Sequence, residues 1–263
     1  MMQTTQASTR HEILGVPVDA VDLDGAIDRI AEWLRSPEPG LRHVVTVNPE
    51  FVIAARRNPA FREVLGKASL ATADGIGIGI AGRILSLPIR DRVAGVDLVD
   101  GLAARSPENC RMFFLGAAQG VASEAKRVLE HRYPDARIVG TYAGSPDDDH
   151  FGMIERQLVD ARPTVLLVAF GHPRQDLWIN RHRERLDAHG ILIAVGVGGT
   201  FDYLSGRVPR APYLVQRLGF EWLFRLVRQP RRWRRQLALP LFVILVLRER
   251  FRRNRRSSNL ETS

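Results

Sequence analysis

From Arg111 onward the chain alternates short, largely apolar runs with amphipathic stretches, and this rhythm limits the fold more than any other feature. MFFLG, ARIVGTYAG, TVLLVAFG and ILIAVGVGG read as strands. Between them lie helical patterns at Val121 to His131, Ile154 to Ala161 and Trp178 to His189. Strands this apolar suit burial on both faces. The pattern predicts an α/β protein, a Rossmann-like parallel sheet with helices on both faces. Right-handed crossovers put all strand exits on one edge, and such sheets bind ligands at the carboxyl edge. Gly116, Tyr142, Gly171 and Gly198 are therefore expected to line one crevice.

The first half supplies the same grammar less regularly. His11 to Val18 reads as a short strand or a hairpin around Gly15 and Pro17. Asp22 to Leu34 has helical spacing, with Leu23, Ala26, Ile27, Ile30 and Leu34 on one face. His43 to Val47 is a buried-type strand, and Thr46, Asn48 and Pro49 stand where it must turn into a helix from Glu50. A strand at Ser69 to Thr72 runs into ATADGIGIGIAGR, a carboxylate followed by a glycine-rich helix start. Gly75 and Gly77 are expected to let the backbone approach a ligand. Asp74 suits either a helix N-cap or a working carboxylate. Arg92, in DRVAGVDL, suits either a surface charge or an anion ligand, and Val96 to Ala104 reads as a helix.

Charge separates the chain into two parts. The formal net charge is +9, yet residues 217–256 alone hold thirteen Arg against Glu221 and Glu249. Everything outside that tail is therefore mildly acidic. Between the two Arg clusters lies LALPLFVILVL, Leu237 to Leu247, an uncharged run too short to cross a bilayer, which takes about 20 apolar residues. Three readings suit such a tail: a membrane-surface anchor, a core helix with a solvated basic face, or a nucleic-acid contact. The domain expectation is a disordered N-terminus at 1–10, an α/β core at 11–215 and an Arg-rich appendage at 216–263. The single cysteine, Cys110, precedes MFFLG and reads as a packing residue. The N-terminus lacks an apolar signal region, so the expected location is the cytoplasm, with the tail as membrane contact.

Two strand exits are dense in polar groups. AFGHPRQDLWI offers His172, Arg174, Gln175 and Asp176; GVGGTFDYLSGRVPRAP offers Gly198, Gly199, Phe201, Asp202, Arg207 and Arg210. Glycine backbone amides and arginines together suit a nucleotide diphosphate. A second cluster offers Thr46, Asn48, Asp74 and Arg92, and a carboxylate facing a diphosphate pocket suggests group transfer with Asp74 as general base. No P-loop is present, and the turn after MFFLG lacks the dinucleotide fingerprint, which argues against NAD. No zinc spacing occurs, and the acidic SPDDDH loop reads as a solvated turn before a helix, so neither metal nor cofactor is expected. An alternative class remains open on these residues: a doubly wound nucleotide- or nucleic-acid-binding protein with an Arg tail.

In order along the chain stand TVNPEFV, ADGIGI, RVAGVDL, FFLGAAQGV, GHPRQDLW, GVGGTFDYLSG, RVPRAP and GFEWLFRL. With these motifs the chain resembles the WecG/TagA/CpsF family of bacterial glycosyltransferases, from about His43 to Arg235. The resemblance implies metal-independent, inverting transfer of a sugar from a UDP-sugar to an undecaprenyl-diphosphate-linked acceptor sugar. It implies work at the inner face of the cell membrane, with no nucleic-acid partner and with room for a homo-oligomer. It makes Asp74 the base, with Thr46 and Asn48 as the polar pair beside it, and places Arg92 and Gln175 near the reacting sugar and diphosphate. In the family a C-terminal appendage closes over the site, which makes Arg225, Arg232 and Arg235 the candidates to neutralise the leaving UDP. The apolar run Leu237 to Leu247, past the resemblance, is expected to add anchoring.

Overall fold

Uncharged runs on both sides of a sheet demand covering layers, and the chain supplies them on each face. The computed structural model describes residues 9–89, 91–212, 215, 223, 224, 226 and 237–260. A hairpin of β1 (Arg10–Ile13) and β2 (Val16–Asp19) comes first, followed by α1 (Leu23–Arg35). Then come β3 (Arg42–Val47), α2 (Pro49–Arg57), α3 (Pro59–Gly66), β4 (Leu70–Ala73), α4 (Ile76–Ile84) and α5 (Gly95–Arg105). The regular half follows as β5 (Met112–Gly116), α6 (Val121–Arg132), β6 (Ile138–Tyr142), α7 (Phe151–Ala161) and β7 (Val165–Ala169). It continues with α8 (Arg174–Arg181), α9 (Arg183–Ala188), β8 (Ile193–Gly196) and α10 (Thr200–Leu204). A long helix, α11 (Ala238–Leu260), closes the chain.

Six strands form one sheet in the order β4-β3-β8-β7-β5-β6, every pairing parallel. Successive side chains alternate between faces. Val44, Leu70, Phe114, Leu167 and Val195 join one core with α1, α5 and α6. Their neighbours Val45, Val47, Ala71 and Ala73 face α2, α3, α4 and the hairpin. On that same side Phe113, Leu115, Leu166 and Val168 face α7 and α8.

Local chemistry sets the ends of these elements. Asp22 caps α1 by accepting from Gly25 N, and Asn48 caps α2 by accepting from Phe51 N, each followed by an acidic residue in the first turn. The exposed side of β4 is blunted by Asp19, whose Oδ2 accepts from Ala71 N at 2.7 Å and from Arg10 Nη2 at 2.8 Å. That hydrogen bond raises the Arg10 pKa.

The apolar run of the tail divides in two. Phe242 and Val246 are buried in the core shared with Phe51, Val52 and Ile78, with Ala238, Leu241 and Leu245 packed against it. The opposite face of the same helix exposes Val243, Ile244, Leu247 and Phe251. The run therefore belongs half to the core, as the core-helix reading of the tail required, and half to the surface. Among the described residues no helix is long and apolar enough to cross a membrane.

Candidate active site

The carboxyl ends of β4, β3, β8 and β7 open into a cleft of about 530 Å³. Asp74 enters it from the exit of β4, Thr46 and Asn48 from β3, Gly198 and Gly199 from β8, and Gly171 and Gln175 from β7. Arg92 and Asp202 complete the set, so residues 156 positions apart in sequence meet in one space. The segment carrying Arg92 is held against the end of β4: Val93 N donates to Ala73 O at 2.8 Å, and Thr72 Oγ1 donates to Val93 O at 3.0 Å.

Each candidate has a definite local setting. The N-cap position of α4 belongs to Gly75, at φ 85°, one residue after Asp74. Asp74 is thus not the N-cap that the sequence allowed. Asn48 spends its side-chain carbonyl on Phe51 N at 3.1 Å, which leaves its amide NH2 for a ligand. Thr46 is buried, with its hydroxyl 3.4 Å from Gly196 O. Gln175 is only 1% exposed, and its Oε1 accepts from Gly171 N at 3.1 Å and Gly198 N at 3.0 Å. It therefore clamps the exits of β7 and β8 together. Arg92 lies 3.8 Å from Asp97, which also binds Arg210 at 2.6 Å.

Two expected members lie elsewhere. Tyr142 ends the edge strand β6 and lines a separate hollow of about 90 Å³ with Gly120, Ser123 and Thr141. The cause is strand order: four sheet spacings, about 19 Å, separate β6 from β3. Gly116 lines neither space. It packs on β7, where an added Cβ would sit 2.9 Å from the Ala169 carbonyl carbon. Gly77 lines the cleft, as expected, and also makes room for a helix, because a Cβ there would fall 2.5 Å from Pro49 Cγ. Phe201, in the last glycine-rich exit, is fully buried and stacked on Phe114 at 4.7 Å. Arg225, Arg232 and Arg235 lie outside the described residues.

The acidic SPDDDH loop follows β6 and is tied to the body by ion pairs. Asp148 meets Arg181 at 2.6 Å and His182 at 3.5 Å, and the Arg181 hydrogen bond lowers the Asp148 pKa. His182 is stacked on Phe151 at 4.0 Å, and burial pushes its pKa down. Among the described residues no group of three or more His, Cys, Asp or Glu side chains is placed to hold a metal ion.

The cleft also holds His172, which its polar strand exit offered, beside Glu50, which the sequence did not single out. His172 Nε2 lies 3.5 Å from Glu50 Oε2, with the His172 ring 4.8 Å from Phe51. Tyr203 and Leu239 line the cleft as well. Glu50 and His172 stand inside the motifs TVNPEFV and GHPRQDLW, beside residues already chosen. Leu239 carries no local signal, since only the packing of α11 brings it to the rim.

A carboxylate, a guanidinium and glycine amides gathered over the carboxyl edge of a doubly wound parallel sheet define an α/β enzyme built for group transfer. Residues 11–256 match the model of the glycosyl transferase WecG/TagA/CpsF family, and the chain belongs to that family. It is a glycosyltransferase. The match extends past both ends of the motif series and takes in the hairpin and most of α11. The chain is 34% identical over 206 residues to the N-acetylglucosaminyldiphosphoundecaprenol N-acetyl-beta-D-mannosaminyltransferase of Bacillus spizizenii, covering 78% of each protein. It is 32% identical to the protein of the same name from Bacillus subtilis strain 168, over 78% of this chain and 79% of the relative. A Staphylococcus aureus protein of that name is 27% identical over 90% of this chain and 91% of its own length.

Proposed function

We propose that this glycosyltransferase moves a sugar of the N-acetylmannosamine or uronic acid type from a UDP-sugar to a polyprenyl-diphosphate-linked acceptor sugar. The reaction inverts the anomeric centre. The observation that carries this reading is the meeting of Asp74, Arg92 and the Gly198–Gly199 exit in one cleft. The names of the relatives support the lipid-linked acceptor and favour N-acetylmannosamine.

In the proposed step the acceptor hydroxyl gives its proton to Asp74 as its oxygen bonds to the anomeric carbon. The bond from that carbon to the UDP oxygen breaks on the opposite side, and UDP leaves with the electron pair. General-base help of this kind is worth about 10²–10⁴ in rate. Gln175 holds the amides of Gly171 and Gly198 in place, and Arg92 offsets phosphate charge. Arg225, Arg232 and Arg235 are assigned to the leaving diphosphate, where fixed cations count most in a dry site. The arginines that follow the apolar run of α11, Arg248, Arg250 and Arg252, suit a peripheral position on an anionic bilayer.

A panel of UDP-sugars offered with a polyprenyl-diphosphate-linked acceptor tests the substrate assignment. UDP-N-acetylmannosamine is expected to turn over. In the same assay Asp74→Asn should lose about 10²–10⁴ in transfer while UDP still binds. Full turnover by that variant would remove Asp74 from the mechanism.

A further inference from the structure

Two helices extend from the cleft mouth to the outer surface, side by side and in the same direction. Ile76, at the start of α4, and Leu239, at the start of α11, both line the cleft. Beyond the far end of α4, Arg250 Nη1 donates to Ser86 Oγ at 3.2 Å. Between these two points the helices share one core: Ile78, Ala81 and Leu85 of α4 join Phe242 and Val246 of α11.

Their outward faces are apolar too. Ile76 and Ile80 of α4 are each 40% exposed, and Val243, Ile244, Leu247 and Phe251 of α11 range from 41% to 67%. Seven of the ten exposed large hydrophobics among the described residues belong to α4, α11 or Leu237 just before it. Apolar surface collected this way, rather than scattered, marks a binding face. It contains no charge from Leu237 to Leu247, and Arg248, Arg250 and Arg252 follow. The strip therefore begins at Asp74's cleft and runs for about 18 Å of helix, from Leu239 to Phe251, toward a cationic end.

We propose that this strip binds the polyprenyl chain of the acceptor, guiding its diphosphate sugar to the cleft beside Ile76. The inference rests on the lipid-linked acceptor assigned above. Continuity decides the occupant: one apolar surface joins the catalytic space to the outer face, as an acceptor with a reacting head and a hydrocarbon tail requires. A bilayer-docking face has no need to enter the cleft. The cationic end then lies where the tail leaves the protein for an anionic leaflet.

The test compares two acceptors with the same diphosphate sugar in detergent solution, one with a long polyprenyl tail and one with a short water-soluble tail. Ile80→Ser and Leu247→Ser, both outside the cleft lining, are measured beside the unaltered protein. Each should raise KM for the long-tailed acceptor about tenfold, the loss of roughly one buried aliphatic side chain. Kinetics with the short-tailed acceptor and urea midpoints should not change. Equal effects on both acceptors, or on neither, overturn the proposal. So does loss of binding to acceptor-free anionic vesicles with tail discrimination intact, which would make the strip a bilayer contact only. Failure of the unaltered protein to use either acceptor would instead refute the acceptor assignment itself.

Discussion

His43 and Asp176 face each other inside the protein, Nε2 to Oδ1 at 3.3 Å, with both side chains fully buried. Neither ring nitrogen and neither carboxylate oxygen has an aligned hydrogen-bond partner among the described residues. The pair joins β3 to the first turn of α8, one residue from Gln175. Gly196 of β8 leaves the space for it, since a Cβ there would fall 2.5 Å from both Asp176 Oδ1 and Gln175 Nε2.

A buried pair of this kind punishes removal of one partner more than removal of both. Asp176→Leu or His43→Leu alone is expected to cost about 3–5 kcal/mol, because each leaves a buried polar group with no counterpart. The double replacement should recover most of that loss. Urea denaturation of the two single variants and the double variant reads this directly. Purely additive losses would show that the two side chains do not interact.

The start of α4 depends on a missing side chain. Gly77→Ala places a methyl against Pro49 Cγ and is expected to cost about 1–3 kcal/mol by overpacking. Gly79, two residues on, has nothing within 4 Å of an added Cβ. Gly79→Ala should therefore stabilise α4 by about 0.5–1 kcal/mol through helix propensity. Melting temperatures of the two variants should move in opposite directions, and a shared direction would refute the packing argument.

The two faces of α11 should differ as sharply. Phe242 is 1% exposed within the core, so Phe242→Ala is expected to cost about 3–5 kcal/mol. Ile244, 48% exposed on the outer face, should change stability by less than about 0.5 kcal/mol when replaced by Ala. Truncation before Ala238 is then a stability change as well as a loss of surface. Comparable denaturation midpoints for Phe242→Ala and the unaltered protein would detach α11 from the core.

Cys110 is buried, and desolvation pushes its thiol up to about 12. The native thiol should resist alkylation at pH 8 and react only on unfolding. Because its folded pKa is raised, the unfolded chain loses the proton first as pH climbs. Stability is fully present below about pH 9 and falls above it, by about 1.4 kcal/mol per pH unit until about pH 12. Cys110→Ala should flatten that part of the stability profile, and an unchanged slope would assign it to other groups.

Much of this architecture is local information. Four largely apolar runs after Arg111 became β5 to β8, because apolar segments of that length have few stable placements outside a covered parallel sheet. Asp22 and Asn48 fixed the starts of α1 and α2 through side chains three residues from their partners. The cleft residues Thr46, Asn48, Asp74 and Gln175 were legible because each stands at a strand end or follows one within a few residues, whereas Arg92, between α4 and α5, was legible only through its motif.

Strand order is not local, and it decided the rest. β5 and β6 lie on the far side of β7 from β8, which removes Gly116 and Tyr142 from Asp74's cleft although they occupy equivalent exits. Packing likewise gave Gly77, a cleft-lining residue, a second role against α2, and made Gln175 a clamp on two amides. The apolar run of the tail shows the division most plainly. Its composition forbade a membrane span and required burial of some kind. Only its seat against α2 and α4 determined which face enters the core and which stays outside, because helical phase is set by the partner surface rather than by an almost uniformly apolar sequence.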